Sequence, residues 1–390
     1  MVKRILVAAI LLAGISTGCR AGYVFHAAVG QFRMVGGSVP IEEALDREEL
    51  SAEQAEKLMW VPRIKDFGEK ELGLKPTENY RSVYMENVRA PLYVISACPK
   101  DRLSLVTWWF PVVGDVPYLA FFDLKRAREE QTKLEAKNLD VTLGAADAYS
   151  TLGWFKDPVT LNLLELPLVD LVDTILHELT HTTLYVNGQG EFNEGLAVLV
   201  GKVGTLRFME RQYGPYPPLI READDALYDE RLFAETVDAV LRELEDLYGS
   251  SLDFEEKLEI REDIFRTARE RFSALETRFK TDRYKGYGSL RFNNASLLAI
   301  GLYHRHFGLF EKVLNEEGNS IPQTLAYFQR LSQEEGDLLQ SMRKRIHGIE
   351  GDPLRETGLL WAASAQERGS ARPGLPKSAP PQNSLQPPGS

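Results

Sequence analysis

The chain has 390 residues, 44% hydrophobic and 26% charged, which excludes a disordered chain, a collagen or a coiled-coil rod for most of its length. It carries 46 Lys plus Arg against 57 Asp plus Glu, a formal net charge of −11, and this acidic balance argues against a nucleic-acid binder. Its two cysteines, Cys19 and Cys98, exclude a disulfide-stapled scaffold and any Cys-rich zinc or iron–sulfur site.

Lys3 and Arg4 open the chain, and residues 5–15 form an apolar run of eleven. That is too short to span a bilayer and fits the core of a signal peptide. Ser16-Thr17-Gly18-Cys19 follows and looks like a lipobox, although Ser16 stands where Leu is usual. The reading is a signal peptide over 1–18 and an acylated Cys19, so that the mature chain sits on a membrane through lipid. Arg20, next to the anchor, directs it to the outer membrane of the cell envelope, facing the periplasm. Ordinary signal cleavage with Cys19 incidental is the alternative.

Residues 23–72 read as helical, with Ser51 as an N-cap for 50–72. The period then changes. Residues 92–97, 104–112 and 118–122 are short β-branched and aromatic runs separated by Pro, Gly and Asp, as expected of a small sheet. Cys98 ends the first run and reads as a buried small hydrophobe. A crossover helix is predicted over 124–137, with strands at 140–143 and 148–154. Helices are predicted over 166–186, 191–212, 220–248, 253–280, 293–316 and 335–347. A sheet-bearing half (about 90–155) before a helical half (166–350) is an α+β arrangement. Residues 356–390 are a Pro-rich tail of disordered composition.

The chemistry lies in Thr174-Ile175-Leu176-His177-Glu178-Leu179-Thr180-His181. Two His at i and i+4 share one helix face, so both imidazoles reach one metal ion. Glu178 sits beside the first and is placed to take a proton from water rather than to bind the metal. The surrounding residues are mostly apolar, and burying two His and a Glu there without a task is costly. A catalytic zinc also needs a third protein ligand and an open position. Leu184 and Asn187 rule out the metzincin pattern.

After Gly188-Gln189-Gly190, a predicted turn, Asn193-Glu194-Gly195-Leu196-Ala197 resembles the Asn-Glu-Gly-x-Ala segment of gluzincin aminopeptidases. The resemblance makes Glu194 the third zinc ligand, with Glu191 as its rival. In thermolysin-like gluzincins an Asp four residues later supports the first His; here that position is Val198. Further segments add to the likeness: Gly22-Tyr23, Gly30-Gln31, Phe110-Pro111-Val112-Val113-Gly114 and Ala148-Tyr149-Ser150-Thr151-Leu152-Gly153-Trp154-Phe155-Lys156-Asp157-Pro158. Together with the lipobox and the zinc motif, they resemble a bacterial zinc aminopeptidase family over about 19–350.

The resemblance implies a zincin-like fold and a zinc-dependent peptidase acting on peptides, with Glu178 as general base. It also implies a second donor to the oxyanion from a downstream Tyr or His. Tyr284, Tyr287, Tyr303, His304 and His306 are candidates, and the Gly-rich setting of Tyr287 favours it. Tyr149, Ser150 and Gly153 would lie on an edge strand that pairs with substrate. Asp147 either captures a free amine or is a turn residue. Two other readings stand beside the aminopeptidase: an envelope endopeptidase, and a zinc-stabilised lipoprotein without catalysis.

Overall fold

The computed structural model describes residues 36–47, 49–85, 92–110, 114–146, 156–214 and 217–347. The α+β arrangement is the one expected, with strands up to Thr160 and only helices after it. The strands are β1 (Ser38–Pro40), β2 (Ser82–Tyr84), β3 (Leu92–Pro99), β4 (Trp108–Phe110), β5 (Gly114–Val116), β6 (Leu119–Phe121), β7 (Leu139–Ala146) and β8 (Val159–Thr160).

They form three small sheets rather than one: β1-β2-β8, β6-β3-β7 and β4-β5. The first was not anticipated, because its strands have two or three residues, too few to carry an alternating pattern. In the second, β3 pairs antiparallel with β7 from Leu92↔Ala146 to Pro99↔Leu139. Alternation along β3 divides its side chains. Ile95 and Ala97 join Trp108, Leu119, Ala127 and Leu134 in a core beneath helix α3 (Leu124–Glu135). Cys98 enters a separate helical core with Phe233, Val237 and Phe272, and its burial pushes the thiol up to about 11.

The first helices are α1 (Ile41–Asp46) and α2 (Ala52–Lys70), the latter opened by a reciprocal Ser51–Gln54 capping box. The helical part contains α4 (Leu161–Glu165), α5 (Leu168–Thr183), α6 (Gly190–Tyr213), α7 (Pro218–Gly249), α8 (Phe254–Leu275), α9 (Asn294–His304), α10 (Phe307–Glu316), α11 (Ile321–Leu331) and α12 (Leu338–His347). Several of these differ from expectation, the short α4 being one that was not anticipated. α5 begins only after Pro167, which keeps the preceding Leu166 extended. The helix expected over 293–316 breaks at Arg305 and His306 into α9 and α10. α11 is additional; the Ser320 hydroxyl accepts from Gln323 N and Pro322 lies in its first turn.

A buried polar cluster fastens β7 to the helices. Arg261 of α8 pairs with Asp140 at 2.9 Å, and both are buried. Asp140 also accepts from the Asn294 backbone at 3.0 Å, and Asn294 Nδ2 donates to the Pro99 carbonyl. The chain divides into two units, 1–339 and 340–390. No helix among the described residues is long and apolar enough to cross a membrane.

Candidate metal centre

Helix α5 buries Val169, Leu171, Val172, Ile175, Leu176 and Leu179, and with them His181, while His177 and Glu178 stay partly exposed. Its last turn is closed by the Thr182 and Thr183 hydroxyls, which both donate to the Leu179 carbonyl. The chain then turns back through 184–189. Gly188 takes a φ of +76°, open to glycine without strain. The Asn193 side chain clamps this turn, donating to the Val186 carbonyl and accepting from the Val186 amide, both at 2.9 Å.

Helix α6 is thereby set against α5, and glycines let the two come close. A Cβ at Gly201 would meet Asp173 Oδ1 at 2.5 Å and His177 Cβ at 3.4 Å. One at Gly204 would meet Leu176 Cδ1 at 2.9 Å.

Close packing brings Glu194 onto the two histidines. Its Oε2 lies 3.2 Å from His177 Nε2 and 3.4 Å from His181 Nε2. The two Nε2 atoms are 3.2 Å apart. His181 is buried, and His177 and Glu194 are partly covered. Burial alone would raise the Glu194 carboxyl, but the two imidazoles hold it well below the usual carboxylate range. Burial would likewise lower His181, yet the Glu194 carboxylate outweighs it and lifts the imidazole to about 8.

Two imidazole nitrogens and a carboxylate oxygen, all within 4.8 Å of one another, form a donor set that fits a divalent cation. A buried Glu194 Oε2 without a hydrogen-bond partner belongs to that fit, since burying such an atom costs free energy. His181 Nδ1 is also buried without a partner. Val198 is buried and apolar, as the sequence anticipated, and offers no supporting carboxylate.

Glu178, next along α5, is half-buried. Burial raises its carboxyl above the ordinary value, against the pull of His177 and His181. The rival ligand Glu191 stands apart from the cluster, 3.5 Å from His306 Nε2.

The downstream tyrosines separate clearly. Tyr287 lies on a short 3-10 turn (Tyr287–Ser289), its ring packed on Phe233, 4.6 Å between centroids, and on Phe272. It belongs to the helical core, so the Gly-rich context that favoured it reflects a turn. Tyr284 stacks on Phe233 and donates to Glu230, which also pairs with His304.

Tyr303, at the end of α9, is the one whose ring faces the cluster, 6.2 Å from the His177 ring at an interplanar angle of 30°. Its side chain is exposed at the mouth of the cluster, and the Glu194 carboxylate raises its phenol above the ordinary value, with Tyr118 and Glu178 adding to the effect. Two more phenols border the site without having been singled out. Tyr185 lies 6.3 Å from His181 and continues its i+4 series, a signal the sequence did contain. Tyr118 arrives from the segment between β5 and β6, and nothing in its spacing marks it.

Cys19, Asp147, Tyr149, Ser150 and Gly153 lie outside the described residues. Neither a curated protein nor a solved structure matches the chain. One family model does, that of the family described as "Putative aminopeptidase", over residues 22–343. Because that match takes in the helical hairpin with its two histidines and Glu194 and covers well over half of the chain, the protein belongs to this aminopeptidase family.

Proposed function

We propose that the chain is a zinc-dependent peptidase of the cell envelope that removes residues from the free amino end of peptides. The observation that carries this reading is the convergence of His177 Nε2, His181 Nε2 and Glu194 Oε2 beside a carboxylate, Glu178, that is not one of the three. Those three residues would hold the ion. When bound, zinc supplies Lewis acidity to a water and to the scissile carbonyl.

The protein's own groups handle the protons and the charge. Glu178 accepts a proton from the attacking water as the new C–O bond forms, then passes it to the leaving nitrogen as the C–N bond breaks. Its partial burial suits that duty, because a raised carboxyl binds the proton more firmly in transit. Tyr303 donates its phenolic hydrogen to the oxygen on which negative charge builds. A phenol is in its neutral, donating form at neutral pH without any help. Tyr149, Ser150 and Gly153 are proposed to pair with the substrate backbone. Cys19 is proposed to carry the lipid that holds the mature chain on the outer membrane.

The test uses protein from residue 20 onward with its zinc content measured. It is assayed on peptides with free and with blocked amino termini. Zinc near one equivalent and cleavage confined to free-amine peptides is expected. Cleavage of blocked peptides would make it an endopeptidase, and a zinc-loaded protein inert on both would favour the non-catalytic lipoprotein. For the anchor, Cys19→Ser in the full chain should release the protein from membranes, and unchanged partition would refute lipidation there.

A further inference from the structure

A group of buried charges, distinct from the three donors of the metal cluster, joins α5, α6, α7 and α9. Lys202 of α6 binds Asp173 of α5 at 2.5 Å, and both are buried. Arg283 donates to the same Asp173 at 3.2 Å and to Asp170. Lys202 also stands in the field of Glu230 of α7, which is 0% exposed. Glu230 accepts the Tyr284 hydroxyl and pairs with His304 Nδ1 at 2.7 Å. Buried ion pairs contribute little net stability, because desolvation offsets their attraction; apolar replacements are often as stable. Stability alone therefore gives a weak account of so many charges in one place.

The ends of this group point to another account. Asp173 is one helical turn before His177, on the same face of α5. His304 directly follows Tyr303, the phenol that faces His177. α9 ends at His304; its cap Arg305 is tied to Asp238 and Glu245 on α7, and His304 to Glu230 on the same helix. Successive residues on a helix point about 100° apart, so fixing the direction of residue 304 fixes that of 303. His304 is fixed on several sides: by Glu230 at Nδ1, and by the ring of Phe233 at 5.0 Å and of Tyr284 at 5.6 Å. Gly301 permits the approach, since a Cβ there would meet Leu241 of α7 at 2.5 Å.

We propose that the Glu230–His304 pair is a positioning device: it locks the last turn of α9 so that the Tyr303 phenol faces the metal cluster. Lys202, bound to Asp173 on the turn of α5 before His177, lies in the field of the same carboxylate. Neither Glu230 nor His304 touches the reacting atoms. This role rests on the hydrolytic reading of the site, in which Tyr303 is the donor to the oxyanion.

The test needs one readout that depends on activity and one that does not. In the full mature chain, His304→Leu removes the group that Glu230 holds. His304→Asn keeps a nitrogen near the place of Nδ1. On a peptide that wild type cleaves, His304→Leu should lower kcat by about ten- to a hundredfold with KM and zinc content unchanged, the scale of a small misplacement. His304→Asn should recover most of that loss. In a Tyr303→Phe background, His304→Leu should cost nothing further; an equal loss in both backgrounds would overturn the proposal. Independently of turnover, 3-fluorotyrosine placed at 303 should give one narrow fluorine resonance in the wild-type background and a shifted or broadened one with His304→Leu. An unchanged resonance would overturn the proposal whatever the kinetics. Should His304→Leu not fold, Glu230→Gln is read by the same resonance. Inactivity of wild type on every peptide, with the fluorine result as expected, would count against the hydrolytic reading and leave the positioning intact.

Discussion

Glu178 separates a proton-transfer site from a mere metal-binding one. Glu178→Gln should keep zinc and fold, because Gln is a good helix former and the residue is outside the donor set. Turnover should drop by about 10²–10⁴, the usual contribution of a general base. Peptide cleavage by this variant at the wild-type rate, with equal zinc content, would remove the mechanism. The tyrosines give a second contrast. Tyr303→Phe should lower kcat by about 10²–10³, as loss of one oxyanion donor does, while Tyr287→Phe, a change within the helical core, should leave kcat alone. The reverse ranking would restore Tyr287 as the donor. His177, Glu178 and His181 were legible in the sequence because helical spacing alone puts them on one surface. Glu194 was legible from its Asn-Glu-Gly context. Tyr303 was among the candidates but not the preferred one, since its direction depends on where α9 stops and what α9 packs against, and the Arg305–His306 break has no residue signature.

Among the elements, the α5–α6 hairpin carries the site, and its closeness depends on Gly201 and on the Asn193 clamp. Gly201→Ala forces a methyl against the Asp173 carboxylate at 2.5 Å and its backbone oxygen at 3.1 Å. The helices must then separate, at a cost of about 1–3 kcal/mol. Zinc affinity should fall with the melting temperature, measured by calorimetry and metal titration; unaltered affinity would show that the ligand geometry does not depend on this contact. Element types were largely readable from periodicity, including the capped α2 and the strand–helix–strand run from β3 to β7. What escaped was short or context-made. β1, β2 and β8 exist through pairing rather than pattern, and α11 starts from a Ser-Ile-Pro signal that is weak in isolation.

For the molecule as a whole, buried charges make stability depend on pH. The Glu230 carboxyl is buried, yet His304 and Lys202 hold it below its ordinary value. A depressed carboxyl stabilises the fold above its unfolded value of 4.5, and that contribution is lost as pH falls through the lower folded value. Melting temperature should therefore decline as pH falls from 4.5 toward that lower value, less steeply in Glu230→Gln; identical slopes would show that other carboxyls dominate. Arg261→Leu should be costlier at neutral pH, about 3–5 kcal/mol by denaturant melting, because it strands Asp140 at the junction of β7 and the helices. The compact hairpin has a last consequence, for folding. Glu194 follows His181 by only thirteen residues, so tying them together withdraws little freedom from the unfolded ensemble, closure entropy growing by only about 0.6 kcal/mol per doubling of loop length. Ligands so near in sequence also retain some hold on the ion when the chain is unfolded, which subtracts from any stabilisation. On the proposed reading a chelator should thus silence the protein while its far-ultraviolet circular dichroism stays helical: the ion would be a tenant of an already standing hairpin, not its cornerstone.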